Sequence, residues 1–241
     1  MAKKETHLPA EVVSAPPSLL VAPGVADDVD ITDVVIPRLT LVQKMSKAVD
    51  KFGARPGEFR ESVSGELLAA TPELVFFKFS KSWLVRHDGE YHAQEPITVL
   101  NANEPYESET TVNGRRVKVT RDMQLNYYVM VAPVTIEALP LVWTLSSTSR
   151  KAGKALNTLF MKLRRAGKSS IDVTISCGVE KNENDKGTWF TPVFSLGRET
   201  TAEEKQIVSS WQVDIERSSV KVAESEEDEG EDGSTVNATP F

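Results

Sequence analysis

Apolar and polar residues alternate over much of the chain between residues 36 and 194, and a period of two is the mark of a half-buried strand. Residues 36–42 (IPRLTLV) begin the pattern, and Pro37 confines that strand to an edge. Residues 74–85 (LVFFKFSKSWLV) place Val75, Phe77 and Phe79 on one side, where they are expected to be core, and Phe76, Lys78 and Ser80 on the other. Asp88-Gly89 and Asn113-Gly114 are tight hairpin turns. The first leads into a strand over 90–93, and the second joins strands over 107–112 and 115–121. Further strands are expected over 124–131, 139–145, 171–179 and 188–194, with a loop over 51–57 (KFGARPG) and a turn at Ser64-Gly65.

Over 149–166 the spacing becomes helical. Leu156, Leu159, Phe160 and Leu163 fall within one arc of about 100°, and Arg150, Lys151, Lys154, Arg164 and Arg165 lie opposite. Ser149 is the candidate N-cap and Gly167 the stop signal. A second helix is expected over 202–211. Many hairpin-linked strands with one long amphipathic basic helix predict a mainly β, α+β fold, a closed or nearly closed antiparallel barrel.

The two ends differ from this middle. Residues 1–35 hold Pro9, Pro16, Pro17 and Pro23 without a usable period and read as a disordered arm. Residues 222–241 hold seven carboxylates, no Lys or Arg, and little that is apolar before Pro240 and Phe241. Such a segment buries too little apolar surface to offset the entropy of ordering it, so a disordered acidic tail is expected. The domain proper is then 36–221.

The chain nets −7, but the charge is unevenly placed. Residues 1–36 net −4 and residues 222–241 net −7, which leaves residues 37–221 at about +4. The body is mildly basic, the sign that suits an anionic partner. A single cysteine, Cys177, rules out an internal disulfide framework and reads as a small buried residue on a strand. No apolar run approaches a membrane span, so a soluble intracellular protein with no membrane partner is expected.

Convergent catalytic chemistry is thinly supplied. The histidines are His7 in the arm, and His87 and His92 around the Asp88-Gly89 turn, where a solvated hairpin tip is the better reading than a metal site. There is no phosphate-cradling glycine loop and no GxSxG motif. Neither an enzyme, nor a cofactor, nor a resident metal is expected.

The acidic, Gly-containing tail that closes on Pro240-Phe241 resembles the tails of bacterial single-stranded DNA-binding proteins and of their phage-encoded counterparts. Residues 235–239 (TVNAT) separate the acidic run from Pro-Phe, a departure from the bacterial pattern. Residues 36–68 look more like phage proteins of the single-stranded DNA-binding kind. The resemblance implies an OB-fold-like barrel, acting in replication or recombination in the cytoplasm of an infected bacterial cell. It also implies a tail that recruits replication and recombination partners through Asp232, Pro240 and Phe241.

Sequence-blind binding of a single strand needs cations for phosphates and ring faces for bases. Lys78, Lys81, Trp83 and Arg86 share one expected strand, with Tyr91 returning beside them. Arg115, Arg116, Lys118 and Arg121 mark the next hairpin arm. Arg150, Lys151, Lys154, Arg164, Arg165 and Lys168 belong to the helix and its exit, and Lys186, Trp189 and Phe190 to a later loop. Trp83 and Trp143 are expected to be at least partly buried, which makes Tyr91 and Trp189 the better stacking candidates. The expected partners are single-stranded DNA and replication proteins, with homo-oligomerisation open. The alternatives are an adaptor that never meets DNA, and a strand-annealing factor or nuclease.

Overall fold

Two hairpin turns set the frame of the molecule, in which the computed structural model describes residues 34–185, 187–217 and 221–222. In chain order the elements are β1 (Val35–Ile36), β2 (Leu39–Leu41), α1 (Lys47–Phe52), β3 (Phe59–Glu61), β4 (Glu73–His87), β5 (Glu90–Pro96) and β6 (Glu107–Val112). They continue with β7 (Arg115–Val131), β8 (Leu141–Leu145), α2 (Arg150–Arg165), β9 (Val173–Asn184), β10 (Gly187–Glu199), α3 (Ala202–Arg217) and β11 (Lys221–Val222). At both hairpin tips the two central residues have positive φ, 52° and 94° for Asp88 and Gly89, 52° and 78° for Asn113 and Gly114. That is the turn whose twist matches the flanking strands.

The long strands β4 and β7 pair antiparallel from Leu74↔Val131 to His87↔Val119. β7 is one continuous strand where the sequence suggests two, because Asp122 and Met123 pair with Leu84 and Trp83 of β4. The ladder overrides the local break in pattern. At the hairpin end β5 flanks β4 and β6 flanks β7, while at the base the order is β10-β9-β4-β7-β8.

A bulge at Phe77 changes the side that each aromatic serves. Phe76 pairs with Val129 and Lys78 with Tyr128, so one extra residue enters β4 and the alternation flips beyond it. Phe77 is 6% exposed in the core under α3, whereas Phe79 is 41% exposed and lies on the opposite face against Tyr127, at 5.0 Å between ring centroids. The expected Val75–Phe77–Phe79 stripe is therefore corrected to Val75 and Phe77 alone.

The sheet faces carry one core each. Leu74, Phe76, Tyr127, Val129 and Trp143 join Leu156 and Leu163 of α2 on one side. Val75, Met130 and Val142 join Val208 and Ile215 of α3 on the other. Leu156 and Leu163 are buried as the helical spacing requires, and the opposing cationic positions are exposed or half-buried. Gly153 lets α2 approach β7 closely: a Cβ there would press on Leu125, and the Tyr127 hydroxyl lies 3.1 Å from the Gly153 carbonyl and 3.0 Å from Asn157 Oδ1. Burial pushes the Tyr127 phenol and the Cys177 thiol up from their ordinary values.

Gly167, at φ 74°, ends α2 as expected. Ser149 does not cap it. Its backbone is already helical, and its hydroxyl donates to the Ser146 carbonyl in the turn before. α3 begins with a reciprocal pair: the Thr201 N–H donates to Glu204 Oε2 at 2.8 Å, and the Glu204 N–H to Thr201 Oγ1 at 3.1 Å.

Among the described residues no ladder closes the sheet into a barrel. β8 meets the β1–β2 segment through the Val142 N–H, which donates to the Pro37 carbonyl, and β2 then lies between β8 and β10. The remaining gap is bridged by one side chain: Gln43 Nε2 donates to the Phe190 carbonyl at 3.0 Å and Gln43 Oε1 accepts from the Phe190 N–H at 2.9 Å. The primary amide occupies the place of a strand residue.

Candidate nucleic-acid interface

The gap that Gln43 bridges is also where the surface opens. A groove of about 810 Å³ runs between α1 and the ends of β8 and β10. A further hollow of about 320 Å³ continues it past Trp189, with Thr148, Thr188 and Trp189 shared by both.

The wall formed by α1 supplies the charge. Lys47 and Lys51 stand four residues apart and so share a helix face, and Lys44, just before the helix, also lines the groove. Gly53 closes this short helix in the left-handed conformation at φ 60°. Lys51 Nζ lies 4.9 Å from the centroid of Phe52. The Phe52 ring rests on Gly65, whose φ is 73° and whose missing Cβ leaves the room.

Two arginines also border the groove but are committed to the fold. Arg38 is buried, and its Nη1 donates to Thr144 Oγ1 at 2.8 Å. Arg60 donates through Nε and Nη2 to Glu58 Oε2 and through Nη1 to the Gly65 carbonyl. The Arg55 N–H, followed by the Arg60 guanidinium, holds the Glu58 carboxyl below its ordinary value, so this loop is stapled by an ionised group. Glu61 is the one carboxylate among the described lining residues, and its oxygens are taken up by the Val63 and Ser64 N–H groups.

Trp189 and Phe190 of β10 also line the groove. Phe190 packs over Gly57, where a Cβ would come within 3.0 Å of the ring, and Trp189 stays half-buried at the junction of the two hollows. The lining thus combines the ammonium groups of three lysines, the rings of Phe52, Trp189 and Phe190, and the small hydroxyls of Ser147, Thr148 and Thr188.

The residues singled out by sequence do not converge on one surface. Of the rings named from sequence, Trp189, Phe190 and the buried Trp143 line the groove, and among the described residues none of the named cations does. Trp83 is corrected outright: it is 1% exposed, and its Nε1 donates to the Asn101 carbonyl at 3.1 Å. Its alternation along β4 places it beside Val85 and Val119, so it is core of the hairpin arm. Trp143 is likewise buried. Lys78 turns under α3, with Nζ 5.1 Å from the Tyr128 centroid and donating to the Ile215 carbonyl.

At the hairpin end, cross-strand carboxylates meet the cations. Arg115 pairs with Asp88, Lys118 with Glu107 and Arg121 with Glu104. Tyr91 is exposed there opposite Arg86, Lys81 and Arg116 are exposed nearby on β4 and β7, and the rings of His87 and His92 stack at 3.7 Å. On α2, Lys151, Lys154, Arg164 and Arg165 are exposed and form no ion pair among the described residues, whereas Lys168 pairs with Glu199 at 2.7 Å. Arg150 lies over Tyr106. Lys186, the 1–33 portion of the arm, and Asp232, Pro240 and Phe241 of the tail lie outside the described residues.

The lysines of α1 were the residues that sequence reasoning missed. The signal was present as Lys44, Lys47 and Lys51 at helical spacing before Gly53, but the segment is only one and a half turns long and is flanked by strand pattern.

Among the described residues no group of three His, Cys, Asp or Glu side chains is placed to hold a metal ion, and no helix is long and apolar enough to cross a membrane.

Fold and groove together define a mainly β domain with an open sheet, one helix on each face and a lysine-edged cleft at the seam. The chain belongs to the Pam3 phage gp34-like protein family, whose sequence model matches residues 22–210, most of its length and all of the groove. No curated protein and no solved structure matches it.

Proposed function

We propose that this phage-family protein binds single-stranded DNA without reading its sequence, during replication or recombination in the cytoplasm of the infected cell. The observation that carries this is the seam groove, whose lining brings together Lys44, Lys47 and Lys51, the ring of Trp189 and the hydroxyls of Ser147, Thr148 and Thr188. Phosphates are met by ammonium groups as point charges, and bases stack on ring faces that accept any base. The open sheet with its cleft supports this reading, because a single strand needs an exposed face to lie across. No bond is made or broken in this role.

The acidic tail belongs to the same reading. β11 pairs parallel with β1, setting Lys221 opposite Val35, which lines the groove; the first carboxylate of the tail, Glu224, follows two residues after β11. In this reading Asp232, Pro240 and Phe241 of the tail recruit replication and recombination proteins.

The test is an anisotropy titration of labelled oligo-dT with the full chain and with a chain ending at Val222. Both bind at low salt, and the shorter one binds more tightly because a polyanion has been removed. Absence of binding by the shorter chain at low salt defeats the reading.

A further inference from the structure

We infer that the bound strand leaves the groove over the start of α2 and stacks a base on Tyr106, a step that rests on the single-strand reading above. The turn Ser147–Ser149 lines the groove. The next residue, Arg150, holds its guanidinium carbon 6.0 Å from the centre of the Tyr106 ring. Groove and ring are therefore joined by consecutive residues of one turn.

Tyr106 is 52% exposed yet firmly held. Its ring meets Trp83 edge-on at 5.6 Å and 88°. Trp83 is itself buried and tied by Nε1 to the Asn101 carbonyl. Asn101 fixes the loop in turn, with Oδ1 accepting from the Thr98 N–H at 2.7 Å and Nδ2 donating to the Pro96 carbonyl at 3.0 Å. The Arg121 N–H donates to the Tyr106 carbonyl at 2.7 Å and pins the backbone to the edge of β7. An exposed ring on an immobile base loses little side-chain entropy when another ring covers it. Arg150, which lies over the ring and swings aside as a base takes its place, supplies with the exposed Lys151 and Lys154 that follow on the helix the phosphate contacts that a stacked nucleotide needs.

The buried Trp83 thus acquires a use that its exposure denies it. It is the support, and Tyr106 is the contact.

The experiment titrates the full chain with labelled oligo-dT of increasing length, from about 4 to about 16 nucleotides, the range of single-domain site sizes. The variants are Tyr106→Phe, which keeps the ring, and Tyr106→Leu, which keeps an apolar side chain against Trp83 and removes the ring. Wild type and Tyr106→Phe gain affinity with length beyond the oligomers that fill the groove. Tyr106→Leu binds the short oligomers as wild type does and is weaker by about ten-fold on the long ones, within the range for one lost base stack. A Tyr106→Leu protein that follows wild type at every length overturns the inference, as does one that weakens equally at every length. Failure of the wild type to bind any oligomer is a different outcome and falls on the single-strand reading itself.

Discussion

The side-chain amide of Gln43 pairs with the backbone of Phe190 in both directions, at 3.0 and 2.9 Å, and so stands in for a strand residue at the seam of the sheet. Its consequence is positional: the groove lies at that seam, so the same two hydrogen bonds hold α1 and the Trp189–Phe190 wall in register. Replacing Gln43 by Ala leaves two half-buried backbone groups without these partners, at a cost of about 1–3 kcal/mol. Chemical denaturation reads that loss, and faster exchange of the Phe190 amide hydrogen localises it. A variant as stable as wild type, with unchanged exchange, shows that the seam does not depend on Gln43.

The position of α1 depends on a glycine outside it. Gly65 adopts φ 73° and its surface is covered by the Phe52 ring. Gly65→Ala places a Cβ in the left-handed region, costing about 1–2 kcal/mol, and pushes the ring that ends α1. Lower stability accompanied by weaker oligo-dT binding is the expected result, since Lys51 precedes Phe52 directly. Gly114→Ala is the control: its φ of 78° is equally strained, but nothing lies near its missing Cβ and it sits at a remote hairpin tip. It lowers stability and leaves binding alone.

The base of α3 predicts an acid limb. Arg198 clasps Glu204 through both carboxylate oxygens, at 2.7 and 2.6 Å, and against the cost of burial this guanidinium, helped by the Thr201 and Val134 N–H groups, lowers the Glu204 carboxyl to about 2. A depressed carboxyl stabilises the fold fully above its unfolded value of about 4.5. That stability is lost as pH falls from there to about 2. Glu204→Gln is destabilised by about 1.5–3 kcal/mol near neutrality, and the difference from wild type shrinks as the acid limb is descended. Urea midpoints at several pH values check both statements. Parallel curves at all pH values exclude Glu204 as their source.

Much of the framework was legible because its signals are local. Asp88-Gly89 and Asn113-Gly114 dictate their turns by φ alone, and the four apolar residues of α2 declare a face. Strand β6 falls on the residues that the pattern indicates. What was not legible depends on contacts distant in sequence. The Phe77 bulge is set by how β4 registers on β7, and it moves Phe79 to the other face. The ion pairs that occupy Arg115, Lys118 and Arg121 come from strands and loops brought alongside. The groove needs Gln43 to meet Phe190 across 147 positions of chain, which no single-stretch pattern encodes. A cation run in the sequence accordingly identified charged surface, but not which part of it borders the groove.

The central claim is that the seam, and not the tip of the β6–β7 hairpin, receives the strand. Two charge-reversed proteins separate these surfaces: Lys44→Glu, Lys47→Glu and Lys51→Glu together, and Arg115→Glu with Arg116→Glu. Oligo-dT affinity is measured for each over a range of salt. The groove variant loses binding and its log affinity falls less steeply with log salt, by about 0.7 per phosphate contact removed, while the hairpin variant keeps both affinity and slope. Loss of binding in the hairpin variant, with the groove variant unchanged, contradicts the account.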